Sequence, residues 1–223
     1  MIFIRLVRGL LSALFMLFSG IYIHLSAQYI GGTDLAAPIP LWYAAGFLGY
    51  LPLHAAFKRL IVMHVFSHEL THALWSVLFG GQVQEMYVSR RRGGFTRYTK
   101  GNFVVSLAPY FFPLYALVSL GIFFIVQERF QPVLAALCGF SSCFHVLLTI
   151  YSIGIGQPDL KKEGTVFSLS FILMMNALIL SVIFLSLADV SLVDDYLADG
   201  LRNLCSLIAG AAGYATSLRS LFG

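Results

Sequence analysis

Apolar residues dominate the chain in long runs, and the few charges fall mostly between them. Residues 9–30 carry no formal charge and follow Arg5 and Arg8. The run is too long for a signal peptide and lacks a small-residue cleavage site, so it predicts a membrane-spanning helix. Residues 35–57 predict a second span, kinked or partly re-entrant because Pro38, Pro40 and Pro52 interrupt it. Residues 60–80 predict a third, unusual in holding His64, His68, Glu69 and His72. Three further runs, 103–127, 130–156 and 165–188, are each long enough to cross about 30 Å of hydrocarbon. The expectation is an all-α polytopic membrane protein of about six transmembrane helices, residues 1–223 forming one membrane domain.

Residues 81–102 are the only substantial polar stretch. Two β-prone pieces, Val83–Ser89 and Phe95–Thr99, flank Gly93-Gly94, which predicts a small β-hairpin after the third helix. Five basic residues gather there: Arg90, Arg91, Arg92, Arg97 and Lys100. The positive-inside rule therefore puts this loop in the cytoplasm. Three later spans return the loop at 157–164 to the same side. Summed over all loops, six crossings balance Lys and Arg between the two sides, Lys58-Arg59 falling outside, so orientation rests on the local cluster. Residues 189–223 begin with acids, and the short apolar run from 203 to 218 predicts an interfacial helix rather than another crossing.

Composition agrees with this picture. The chain is 59% hydrophobic and only 11% charged, with a mean hydropathy of +0.85, against about a quarter charged for soluble domains. Disorder, a secreted disulfide scaffold and a nucleic-acid partner are excluded as classes. The net charge of +4 reflects cytoplasmic loops, and the lipid bilayer is the expected partner. Cys138, Cys143 and Cys205 have no metal-binding spacing.

The third run contains His68-Glu69-Leu70-Thr71-His72, an H-E-x-x-H motif. On a helix, positions i and i+4 share a face, so both imidazoles can bind one metal ion. Glu69, beside the first, is then placed to take a proton from a metal-bound water. With six His and four Glu in the chain, independent placement gives about 0.003 such matches. A carboxylate inside a membrane helix costs about 2–3 kcal/mol on insertion scales, so it needs a function or a partner.

A catalytic zinc site takes three protein ligands, leaving a position for water. His64, His145 and Asp159 are the candidates for the third. Three ligands in succession along one helix spread over more than about 10 Å, which disfavours His64. His145 lies within the fifth run. Asp159 follows that run at Pro158, on the side where the H-E-x-x-H helix ends, and is favoured for that reason. Asn102 and Asn176 are weaker candidates for binding substrate backbone, since an Asn in a membrane helix equally serves as interhelical glue.

The chain resembles the site-2 protease family of intramembrane zinc metallopeptidases. The resemblance rests on His68-Glu69-Leu70-Thr71-His72-Ala73 in an apolar helix, the hairpin stretch from Gly80-Gly81, and Asn102 through Leu107-Ala108-Pro109-Tyr110. It covers residues 60–188, leaving the N-terminal helices of 1–59 and the segment 189–223 outside. The resemblance implies Zn2+ as cofactor, Asp159 as third ligand, a membrane protein as substrate, and regulated intramembrane proteolysis as the setting. Where the family often has Asp followed by Gly, this chain has Asp159-Leu160. The expected location is a bacterial cytoplasmic membrane, as a multi-pass protein.

Peptide bonds in a substrate helix are hidden by internal hydrogen bonds, so the segment must unwind before attack. The hairpin offers an edge strand to hold it by β-augmentation, or serves only as a basic loop touching anionic lipid. Other classes use the same residues. Two His and a carboxylate also form the facial triad of non-haem iron oxygenases, which would leave Glu69 without a task. A non-catalytic scaffold or an ion or proton transporter would use the polar cluster as a binding site. A rhomboid-type pairing of Ser141 or Ser142 with His145 puts both groups on one helix, poorly arranged around a substrate.

Overall fold

A break at Phe112-Pro113 shapes the centre of the molecule. In the computed structural model, which describes residues 2–56, 61–90 and 93–222, the run expected at 103–127 is two short helices bent by 67°. The helices in chain order are α1 (Ile2–Gly32), α2 (Pro38–Ala56), α3 (Ile61–Leu78), α4 (Phe103–Phe111), α5 (Leu114–Phe123), α6 (Gln131–Gly154), α7 (Pro158–Glu163), α8 (Thr165–Ala188) and α9 (Ser191–Phe222). Phe112 is extended, at φ −102° and ψ 96°, because the ring of a following proline disfavours the α conformation.

Strands β1 (Val83–Ser89) and β2 (Gly93–Tyr98) pair antiparallel between α3 and α4. The expected hairpin is present, but Gly93 and Gly94, expected between the strands, open β2 and pair with Ser89 and Val88, and the all-α membrane fold is present with it. Arg91 and Arg92 of the basic cluster, and Lys58 and Arg59, lie outside the described residues.

α2 and α6 pack most closely. A Cβ on Gly46 would sit 1.9 Å from the Ala136 carbonyl oxygen, and one on Gly139 would sit 2.0 Å from that of Tyr43. Small residues let two membrane helices approach to backbone contact. α1 packs along α8, Phe15 meeting Phe167 and Phe171 at ring separations of 5.6 and 5.2 Å. The C-terminal segment is one long helix, starting well before the run at 203–218. Its first half docks through fully buried Tyr196 and through Asp199, which accepts a hydrogen bond from the Tyr29 hydroxyl at 2.7 Å.

Fewer helices than the expected six pass as candidate spans by length and hydropathy. Among the described residues, three helices are long and apolar enough to cross a membrane, or four if the bent α4–α5 pair counts as one. The order of sides changes too. Arg8 Nη2 lies 3.5 Å from Glu163 Oε2, so the start of α1 and the short helix α7 share one end of the bundle. Six serial crossings would set them on opposite sides. With α1, the α4–α5 pair and α6 each crossing once, α2 and α3 together contribute one net crossing. α3 begins level with the bend, where the carbonyl of exposed Met63 accepts from the Tyr115 hydroxyl at 3.0 Å. Its imidazoles and carboxylate lie on the face of the helix that is covered by protein, while Phe66, Leu74 and Val77 are exposed.

Candidate metal centre

Helical spacing stacks His68 and His72 on one face of α3, and both are buried. Asp159, in the first turn of α7, comes to meet them. Its Oδ2 is 3.6 Å from His68 Nε2 and 3.6 Å from His72 Nε2, and the three donor atoms lie within 4.8 Å of one another. Two zinc bonds of about 2.0–2.1 Å at a tetrahedral angle hold their donors about 3.3–3.4 Å apart, so this set fits such an ion. Asp159 is also the open side of the group, its side chain 27% exposed against 8% for each imidazole.

His72 Nδ1 lies 2.8 Å from the Val105 carbonyl. A carbonyl only accepts, so Nδ1 carries a proton and Nε2 is the atom turned toward Asp159. Burial alone would raise the Asp159 carboxyl. The contacts with His68 and His72 outweigh it and hold the group well below the usual carboxylate range. It is an anionic donor at any ordinary pH. The Tyr110 hydroxyl donates to the same Oδ2 at 3.4 Å, and its ring stands edge-on to His68 at 5.4 Å.

Glu69 points to the hairpin. The Thr96 hydroxyl lies 2.8 Å from Glu69 Oε2 and 3.0 Å from the Glu69 backbone carbonyl. Strand β2 comes this near because residue 94 is glycine. A Cβ there would lie 2.6 Å from Val65 Cγ1, 2.7 Å from Glu69 Cγ and 2.8 Å from the Tyr87 carbonyl oxygen. The hairpin is therefore part of the site.

His145 and Asn176, both named from the sequence, pair with each other, Nε2 to Oδ1 at 3.1 Å. Asn176 Nδ2 donates to the carbonyls of Tyr110 and Ile172, each at 2.8 Å. The break at Pro113 leaves carbonyls in the last turn of α4 without helical partners, and Asn176 satisfies one of them. The polar atoms of Asn176 are thus engaged within the bundle. Asn102 caps α4, its Oδ1 accepting from the Val105 N–H at 2.9 Å. His64 Nε2 lies 3.0 Å from Ser152 Oγ, one turn before His68.

Sequence reasoning gave no role to Thr96 or Tyr110. Tyr110 left one signal, a phenol in an apolar run next to a helix-breaking proline, where its hydroxyl needs a partner. Thr96 left none, since only the fold of the hairpin onto α3 brings it to Glu69.

A family model described as Peptidase M50B-like, a site-2 protease family, matches residues 41–185. The match takes in α3, the hairpin, the broken helix pair and α7. Comparison with curated proteins and with solved structures gave no match.

Proposed function

Since the chain belongs to the Peptidase M50B-like family, and so to the peptidases, we propose that it is an intramembrane zinc metalloprotease cleaving transmembrane or membrane-proximal segments of membrane proteins. The observation that carries the reading is the meeting of Asp159 Oδ2 with both H-E-x-x-H imidazoles at 3.6 Å. In this reading His68, His72 and Asp159 hold the ion. Zinc bound there would supply Lewis acidity toward a peptide carbonyl and a water acidified toward neutrality.

The remaining chemistry belongs to the side chains. Glu69 is the general base, taking the proton of the attacking water and returning it to the leaving amine. The Thr96 hydroxyl occupies Oε2 and fixes the carboxylate plane, leaving Oε1 to carry the proton. Val105 keeps His72 in the tautomer that offers Nε2. Buried Tyr110 steadies Asp159 through its hydroxyl. All of this sits one to three helical turns inside the Leu78 end of α3, about 9–15 Å, so a substrate helix must unwind to present a bond there.

The metal reading is tested on purified protein. Wild type is expected to hold about one zinc per chain, and His68→Ala and His72→Ala to lose it. Zinc retained in both variants would refute the assignment.

Orientation follows from the shared end of the bundle. Arg5 and Arg8 of α1 join Arg90, Arg97, Lys100, Lys161 and Lys162 on the side of the hairpin, and the positive-inside rule assigns that side to the cytoplasm. Single cysteines at Phe3 and Gln84, in a chain lacking the three native ones, are expected to resist a membrane-impermeant maleimide in intact cells. Both should react once the membrane is opened. Labelling of one position but not the other from outside would restore the six-crossing order.

A further inference from the structure

α7 is six residues long, too short to be stable by itself, yet it carries the carboxylate that meets both imidazoles. What holds it is therefore part of the site. Leu160 is buried among Phe111, Phe167 and Phe171, and its carbonyl accepts from the Ser168 hydroxyl at 3.1 Å. At the other end of the helix, Glu163 Oε1 accepts from the Ser106 hydroxyl at 3.3 Å and Oε2 from Arg8 Nη2 at 3.5 Å. The Glu163 side chain is only 11% exposed. A carboxylate so enclosed needs a cation, and Lys161 and Lys162, two and one residues away, project from other faces of the helix. Arg8 comes from α1, which lies outside the residues 41–185 matched by the family model.

We propose that Arg8 and Glu163 form a strap by which the N-terminal helix positions Asp159 for the metal. The proposal rests on Asp159 being the third ligand. Ser106, the other partner of Glu163, follows Val105, whose carbonyl orients His72. One carboxylate thus ties α7 to the stretch of α4 that sets the second imidazole, and Arg8 neutralises it. α1 is fixed beside α8 by Phe15 against Phe167 and Phe171, so the guanidinium is offered from a rigid support. Removing it leaves an unpaired, nearly buried charge that turns α7 toward water, carrying Asp159 away from the imidazoles. Arg8 and Glu163 are positioning residues, acting through Asp159.

The test uses the full chain in detergent, with Zn2+ affinity measured against a competing chelator and the visible spectrum recorded after Co2+ substitution. Arg8→Ala and Glu163→Gln are each expected to weaken Zn2+ binding about tenfold, the lower end for groups outside the ligand set. Each should also change the Co2+ band intensities, which report ligand geometry. Arg8→Lys should recover most of the affinity. Should Arg8→Ala not fold, Glu163→Gln, matched in shape, decides alone. Wild-type affinity and spectrum in Glu163→Gln and Arg8→Ala, beside weakened binding in Asp159→Asn, would overturn the strap and spare the ligand. Wild-type binding in Asp159→Asn would overturn the ligand and the strap together. A lowered melting temperature with unchanged Zn2+ affinity would reduce the pair to a structural contact.

Discussion

Glu69→Gln is expected to keep its zinc and lose peptide-bond hydrolysis by about 10²–10⁴-fold, the range for removing a general base. The variant leaves both imidazoles and Asp159 untouched, so metal content should match wild type. It also keeps an oxygen able to accept from Thr96, whose hydroxyl lies 2.8 Å from Glu69 Oε2, so the hairpin should stay against α3. Only the capacity to take a proton is removed. Zinc analysis and cleavage of a reconstituted membrane-spanning peptide measure the two quantities on one preparation. Full hydrolysis in Glu69→Gln would refute the mechanism. Iron in place of zinc, with oxygen-dependent turnover, would favour the oxygenase alternative.

The second large effect separates Asp159 from His145. Asp159→Asn is expected to weaken Zn2+ binding by more than the ~10–100-fold typical of groups outside the ligand set, and to abolish cleavage, because an amide is a poorer ligand than a carboxylate held ionised by two imidazoles. His145→Ala should leave Zn2+ affinity near wild type. It breaks the 3.1 Å contact with Asn176, which holds the Tyr110 carbonyl, so its cost falls on stability, about 1–3 kcal/mol for a buried polar group left unpaired. Zinc titration with a thermal melt distinguishes the two. Metal retained in Asp159→Asn and lost in His145→Ala would reverse the assignment.

The membrane class, the positions of the apolar runs, the hairpin between α3 and α4 and the pairing of His68 with His72 were legible in the sequence, although Gly93 and Gly94 lie in β2 rather than between the strands. Each depends on residues a few positions apart, where chain geometry is set by helical or strand periodicity. The break at Phe112 was written there too, since Pro113 restricts the residue before it, although hydropathy alone reads straight through it. The crossing order was not legible. Six runs were counted as serial crossings, whereas α3 starts level with the bend between α4 and α5 and the Arg8–Glu163 contact brings the start of α1 to the end that carries α7. The side on which Asp159 lies came from counting runs, but the 3.6 Å meeting with both imidazoles came only from packing. Thr96 beside Glu69 and Tyr110 beside Asp159 belong to the same kind. Such contacts join residues far apart in the chain, and their distances depend on how helices pack, bend and close together, a property of the whole bundle that no local pattern of residues encodes.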